Sequence, residues 1–178
     1  MSNFDGTKTK NNLMTAYSFE SQARNKYTFY ARAARDAGYE QIAAIFEQSA
    51  EQEMGHAFMW FNYLDGMRTI EGDLQSSIAG ENDESVNLYP KMAADARAEG
   101  FEELATKFEL AAKIEAEHRD RFSRLLESIN RHTTFAGNAP RGWMCRHCGF
   151  VANTENAPEK CPYCGYERGF FERRADNY

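Results

Sequence analysis

Two Glu-x-x-His pairs, Glu53 with His56 and Glu115 with His118, stand 62 positions apart, and two Cys-x-x-Cys pairs, Cys145/Cys148 and Cys161/Cys164, follow near the end of the chain. Both spacings are those of metal ligands. A Glu and a His three residues apart on a helix lie about one turn from each other on one face, so both reach a single centre. Two Cys-x-x-Cys knuckles separated by twelve residues converge on one tetrahedral ion. This pattern is strong for a metal and weak for which metal: zinc would give a structural ribbon suited to interaction, iron a one-electron carrier. His147, between the first two cysteines, is expected to face solvent.

The elements that must position the first set are duplicated. GYEQIAAIFEQSAEQEMGH (38–56) recurs as GFEELATKFELAAKIEAEH (100–118). A repeated helix is the simplest reading. Ile42, Phe46, Ser49, Glu53, His56, Trp60 and Tyr63 follow one helical stripe, and Leu104, Phe108, Ala111, Glu115, His118, Phe122 and Leu125 follow its copy. An earlier stripe, Leu13, Ala16, Glu20, Ala23, Tyr27, Tyr30 and Ala34, predicts a first helix ending near Gly38. The second helix runs from about Tyr39 to Leu64, closed by Asp65-Gly66. A third begins between Glu71 and Leu74 and carries Ile78, Glu81, Ser85, Leu88 and Met92, with Glu84 one turn beyond Glu81. Pro90 should kink or divide it. The fourth spans about Phe101 to Asn130. Glu20 maps onto Glu81 at an offset of 61, whereas Gly38 maps onto Gly100 at 62. One extra residue therefore lies between Glu81 and Gly100, in the loop or in a π-type bulge near Pro90.

Glu20, Glu53, His56, Glu81, Glu84, Glu115 and His118 thus turn inward from four helices. This is the arrangement of ferritin-like di-iron bundles, in which two helices each give a Glu and two give a Glu-x-x-His pair. Carboxylates are rarely buried without compensation. Two divalent cations offset four of the five negative charges, and carboxylate-rich ligation with one His per metal suits iron or manganese better than structural zinc. The alternative is a metal-free core in which these glutamates pair with Arg24, Lys91 or Lys107. Tyr27 and Tyr89 are candidates to orient the carboxylates by hydrogen bonds.

Composition sets the frame. The chain has 178 residues, 42% of them hydrophobic, and a formal net charge of −6. It can hold one good-sized domain and a small one. Interspersed acidic and basic residues offer no basic face for nucleic acid or anionic lipid. The polar start, MSNFDGTKTKNN, lacks a signal peptide's apolar core, and no apolar run approaches the ~20 residues of a membrane span. A cytoplasmic location is expected. All four cysteines fall within one short stretch, which favours a local metal site over a disulfide framework. Periodicity stops after the fourth helix, so the expected division is a helical domain at 1–133, a linker at 134–141 and a small β-rich metal domain at 142–178. Trp143, Phe150, Tyr163, Tyr166 and Phe170 are expected to surround the cysteine knuckles.

FESQARNKY (19–27), EQEMGH (51–56), AGENDE (79–84) with LYP (88–90), EAEH (115–118), CRHCGF and APEKCPYCG resemble the rubrerythrin family over nearly the whole chain. The resemblance implies an all-α, four-helix ferritin-like bundle with a small β-rich rubredoxin-like C-terminal domain. It further implies an NAD(P)H-linked non-haem peroxidase of oxidative-stress defence. Hydrogen peroxide would be reduced to water at two irons, and electrons from a reductase or rubredoxin would enter through one iron on Cys145, Cys148, Cys161 and Cys164. Zinc can occupy either site as prepared. By the matching motifs, Glu20, Glu53 and Glu81 are iron ligands, with Glu53 and Glu115 bridging. His118 holds one iron permanently, while the other iron moves between His56 and Glu84 as its oxidation state changes. The other readings are a ferroxidase or iron-handling ferritin relative, and a zinc-ribbon interaction protein.

Two features depart from the family pattern. Phe19 stands where a small residue is usual and is expected to tighten the site; SVNLYP after Glu84 replaces a more polar run and is expected to alter proton delivery. The connection between the second and third helices is also short. The ~8 residues from Gly66 to Leu74 reach at most about 28 Å, and the return along the bundle is about 35 Å. A homodimer is expected in which the first two helices of one chain pair with the last two of another.

Overall fold

The computed structural model describes residues 4–64, 66–137 and 141–175. Asp65, the expected partner of Gly66 in closing the second helix, and positions 138–140 of the expected linker lie outside them. The chain divides into two compact units, residues 1–67 and 68–178.

The first unit is a helical hairpin. Helix α1 (Lys8–Asp36) opens on Thr7, whose side chain accepts a hydrogen bond from the Lys10 N–H at 3.1 Å, satisfying one of the unpaired donors of the first turn. It packs on α2 (Glu40–Leu64). The turn between them needs a left-handed residue: Gly38 has φ +83°, its N–H donates to the Arg35 carbonyl, and the Tyr39 N–H donates to the Ala34 carbonyl.

In the second unit, α3 (Ile70–Asp83) is capped by Thr69, which accepts from the Gly72 N–H at 3.2 Å. It leads through a π-helical turn at Glu84–Leu88 into α4 (Tyr89–Ala98). Both α3 and α4 pack on α5 (Glu102–Asn130). The π turn places the extra residue that the sequence left unassigned, in the helix just ahead of Pro90 and not in the loop. Proline lacks the N–H that an α-helical bond from position 90 would need, so loosening the preceding turn costs little.

Beyond that turn the repeat holds in detail. Gly100 (φ +86°) donates to Arg97 and Phe101 donates to Ala96, the bonds of Gly38 and Tyr39 shifted by 62. Arg35 pairs with Glu40 at 3.2 Å and Glu47 at 2.8 Å; Arg97 pairs with Glu102 at 3.0 Å and Glu109 at 2.9 Å. Ala31 and Ala93, and Ala43 and Ala105, are buried at matching positions, where small side chains let the helices approach closely. A Cβ built on either glycine meets nothing within 4 Å. Gly38→Ala or Gly100→Ala should therefore cost only the left-handed backbone penalty, about 1–2 kcal/mol, and lower the melting temperature by roughly 2–8 °C. Calorimetry would check this.

The C-terminal part of the second unit is a three-stranded antiparallel sheet, ordered β2-β1-β3, with β1 at Arg141–Cys145, β2 at Val151–Thr154 and β3 at Phe171–Arg173. Arg141, expected in the linker, already belongs to β1. The core is Trp143, Cys145, Ala152, Ala157, Cys161 and Phe171, with Phe150 packed against it. Trp143 Nε1 donates to the Glu155 carbonyl at 3.3 Å.

Three of the expected covering aromatics stand outside this core. Tyr163 is 80% exposed, and Tyr166 and Phe170 remain substantially open. The reason is register: Cys145 pairs with Phe171, which turns Phe171 inward and leaves Phe170, in the short 3-10 turn before β3, to pack on Tyr166.

Candidate metal centres

The four cysteines sit on two matching knuckles. In each, the fifth residue is a glycine in the left-handed region, Gly149 at φ +78° and Gly165 at φ +76°. Each donates its N–H back to the first cysteine's carbonyl, Cys145 or Cys161, at 2.8 Å. The sulfurs of Cys145 and Cys164 are 3.8 Å apart, those of Cys148 and Cys161 3.6 Å, and all four lie within 4.8 Å of one another. Disulfide sulfurs stand at ~2.05 Å, whereas ligands ~2.3 Å from a tetrahedral ion stand about 3.8 Å apart. The geometry fits an ion and not a cross-link.

The thiols are unequal. The Phe150 N–H pulls Cys148 down, but burial and the three other thiols push it up to about 12. Burial alone would raise Cys161, yet the N–H groups of Cys164 and Tyr163 hold it down to about 7. His147 is exposed and lies flat on Tyr166, ring centres 3.8 Å apart, as expected of a non-ligand.

The carboxylates form two trios, one in each unit. Glu20 from α1 joins Glu53 and His56 from α2; Glu81 from α3 joins Glu115 and His118 from α5. Within each trio one ligand atom per residue lies within 4.8 Å of the others. His56 Nδ1 is 2.9 Å from Glu53 Oε2. His118 Nδ1 is 2.8 Å from Glu115 Oε2 and 3.6 Å from Glu81 Oε2. Glu84, half-buried at the start of the π turn, is not gathered into a trio. Tyr27 packs on Phe46 and Tyr30, and Tyr89 on Phe108. Phe19 is 68% exposed, so within its own hairpin it does not narrow the trio beside it.

The cations considered as partners for these carboxylates are engaged elsewhere. Arg24 donates to Asn25, Lys91 to Asp95 at 2.6 Å, and Lys107 pairs with Glu103 at 2.9 Å. Negative charge therefore accumulates at both trios, and it bears unequally on their carboxyl groups. Glu20 is raised above the usual carboxylate range, first by the hydrogen bond it shares with Glu53 and then by burial. Glu53 is lowered, chiefly by His56. Glu81 is raised by burial and by the Glu115 charge. A donor set of hard oxygens with one imidazole per trio fits a first-row divalent cation.

Because the folded state holds a proton on Glu81 more tightly than the unfolded chain does, this contribution to stability is complete below the ordinary carboxylate pKa of ~4.3 and lost as pH rises past the raised value. In chelator-treated protein, Glu81→Gln should raise the melting temperature at neutral pH and leave it unchanged at ~pH 4. Thermal scans across pH would check this.

One polar group near these ligands escaped the sequence reading. The indole Nε1 of Trp60, on the stripe one turn past His56, is buried without a hydrogen-bond partner. The available signal was the mismatch in the repeat, where Trp60 corresponds to Phe122.

Helical hairpins carrying paired Glu-Glu-His trios, joined to a small sheet with a four-thiolate knuckle, define a ferritin-like helical protein fused to a rubredoxin-like domain. The rubrerythrin family profile matches residues 11–72 and 73–141, and that of the rubrerythrin rubredoxin-like domain matches residues 143–172. The chain belongs to the rubrerythrin family. It is 39% identical to the rubrerythrin of Porphyromonas gingivalis, covering 97% of this chain and 93% of that one. It is 38% identical to rubrerythrin-1 of Clostridium acetobutylicum over the full length of both. Among solved structures, partially reduced nigerythrin is 28% identical, with 98% and 94% of the two chains covered and a TM-score of 0.38. Membership makes this a di-iron protein of the oxidative-stress response, an oxidoreductase whose cofactors are an iron pair at the Glu/His groups and one iron at the cysteines. Among the described residues no helix is long and apolar enough to cross a membrane.

Proposed function

We propose that the protein is a cytoplasmic peroxidase that reduces hydrogen peroxide to two waters, consuming two protons and two electrons delivered through the four-thiolate iron from an NAD(P)H-linked reductase or a rubredoxin. The observation that carries this reading is the duplicated Glu-Glu-His trio, with no Lys or Arg paired to its carboxylates among the described residues, in a chain that also gathers four thiols about one point. Glu20, Glu53, His56, Glu81, Glu84, Glu115 and His118 hold the iron pair, and Cys145, Cys148, Cys161 and Cys164 hold the single iron. When bound, the ferrous pair supplies one electron per ion for cleavage of the O–O bond. Glu53 and Glu115 would each serve both ions of the pair, and His56 and Glu84 would be alternative ligands for one of them. Tyr27 and Tyr89 orient carboxylates by their hydroxyls. The domain division at 134–141 belongs to the same reading, with the helices as the peroxide site and residues 142–178 as the electron entry.

The working unit is a homodimer in which α1 and α2 of one copy meet α3, α4 and α5 of another. A ferritin-like bundle contains one long crossover. Here α2 has 25 residues, about 37 Å, and ends at Leu64, while α3 begins at Ile70. That connection is shorter than the sequence reading assumed and spans at most about 21 Å. The full-length alignment with the Clostridium relative runs to 195 positions against 178 residues here, so the relative carries about 17 residues that this chain lacks. The family match falls into two adjoining stretches, 11–72 and 73–141. Ile42 and Leu104, matching stripe positions, are 47% and 48% exposed, apolar surface that a second copy would cover.

The test is anaerobic reduction followed by one equivalent of hydrogen peroxide, with both kinds of iron followed spectroscopically. Reoxidation of the carboxylate-bound iron ahead of the thiolate-bound iron is expected. A response from the thiolate iron alone would sink the peroxidase assignment.

A further inference from the structure

Where α5 hands over to the sheet, the second unit holds an open cavity of about 720 Å³. Its walls come from three places: Ile70 and Glu71 at the start of α3, Ile129 and the turn after α5, and Arg168 of the sheet domain. That turn is fastened on both sides. Thr134 Oγ1 is 3.1 Å from Ser128 Oγ in α5, while the Ala157 N–H donates to the Phe135 carbonyl at 2.9 Å and Arg173 donates to the Ala136 carbonyl at 2.6 Å. Phe135 lines the cavity and packs against the core that contains Cys145 and Cys161.

The charged groups of this cavity are largely unengaged. The turns after α1, α2 and α4 place Gly38, Gly66 and Gly100 in the left-handed region, whereas the turn after α5 places His132 there, at φ +55°. A side chain thus stands where the other turns have none, and it lines the cavity. Neither the His132 imidazole nor the Glu71 carboxylate has a hydrogen-bond or ion-pair partner among the described residues. Arg168 gives one guanidinium nitrogen to Glu159, and its Nε is shut off from water without an acceptor. A guanidinium fork holds an oxyanion at two nitrogens, so an oxyanion bound here supplies the acceptor that the buried N–H lacks. The Arg168 side chain is 37% exposed and free to turn toward it.

We propose that this cavity binds a nucleotide, with the phosphate on Arg168 and His132, the ribose hydroxyls on Glu71 and the base against Ile70, Ile129 and Phe135. The mixture of groups selects among ligands. A bare anion would be repelled by Glu71, and an apolar molecule would leave three ionisable side chains without a partner. A nucleotide answers each: a phosphate for the fork, hydroxyls that a carboxylate accepts from, as an acidic residue does for ribose in dinucleotide sites, and a planar ring for the apolar wall. The volume falls within the roughly 300–1,000 Å³ of small-molecule sites. Because helices and sheet both contribute walls, a bound nucleotide braces the four-thiolate domain on the helices. None of this depends on the carboxylate metals or on peroxide chemistry.

The test is isothermal titration calorimetry of the full-length, iron-loaded protein with AMP, adenosine and inorganic phosphate. AMP should bind, and adenosine and phosphate should each bind at least about tenfold more weakly. Arg168→Gln should weaken AMP binding by about tenfold to a hundredfold, the worth of hydrogen bonds to a charged group. His132→Asn should weaken it as well. Asparagine also tolerates the left-handed backbone, so this variant keeps the turn and stands in for Arg168→Gln should that substitution disturb the sheet. Saturating AMP should raise the temperature at which the colour of the thiolate iron is lost. No AMP binding at millimolar concentration, phosphate binding as tightly as AMP, or an affinity indifferent to both substitutions would each overturn the nucleotide site, and thiolate colour lost at the same temperature with and without AMP would overturn its place beside the sheet.

Discussion

Two inactive variants, Glu53→Ala and Glu115→Ala, should restore activity to each other when co-expressed. Glu53 lies in the first unit and Glu115 in the second. In a swapped dimer each bundle takes one unit from each copy. A mixed dimer therefore contains one bundle with both defects and one with neither. Random pairing makes about half the dimers mixed, each with one intact bundle of two, so co-expressed protein should show about a quarter of the unaltered peroxide consumption and bound carboxylate iron. If each bundle came from a single chain, every bundle in every dimer would carry one defect and nothing would be regained.

The prediction follows from chain length and not from any detail of the metal chemistry. Six backbone steps from Leu64 to Ile70 span at most about 21 Å, and the return along α2 is roughly 37 Å. Lengthening the connection supplies the converse experiment. About 17 flexible residues inserted after Gly66 should let one chain close its own bundle, and complementation between the two variants should then fall away.

These particulars show where sequence carries structural information and where it thins out. The trios were legible because a helical stripe has a fixed period: once Glu53 and His56 share a face with Phe46 and Trp60, no other backbone arrangement keeps the apolar residues together. The cysteine knuckles were legible because ligand spacing and left-handed glycines are local.

The π turn at Glu84–Leu88 was half legible. The change of offset from 61 to 62 demanded one extra residue, but a one-residue slip has no compositional signature, and only the backbone shows that it falls before Pro90. Helix α3 starts earlier than its apolar stripe because Thr69 caps it, and a cap can precede the first periodic residue. The aromatic cover of the thiolate site was misassigned between neighbours, Phe170 for Phe171, since in a three-residue strand the inward face is set by pairing with Cys145 and not by any run long enough to read. Trp60 stood on the stripe simply as another ring, and only the structure shows its indole N–H buried without an acceptor.

Loss of one thiolate should have the second large effect. Cys161→Ser should unfold the small sheet, remove the visible colour of the thiolate iron, and reduce reductase-supported peroxide turnover to the level seen without reductase. The sheet is built on few large side chains: Trp143 and Phe171 are its principal buried rings, and Cys145 and Cys161 complete the core as ligands. A domain of this size does not hold together on such a core alone. In small metal domains the ion contributes about 10–16 kcal/mol of folding free energy. Cys161 is the informative position, since its neighbours' N–H groups lower its thiol to about 7 and make it a thiolate readily available near neutral pH. Serine keeps the size but not the soft ligand. The helices do not depend on this core, so far-ultraviolet circular dichroism should lose little helical signal while Trp143 fluorescence moves to that of an exposed indole. Protein reduced chemically beforehand should still consume one equivalent of peroxide at the carboxylate iron, separating electron delivery from peroxide cleavage. Reductase-supported turnover that survived Cys161→Ser would mean that electrons reach the helices by another route, and the four cysteines would then have to be read as a structural knuckle.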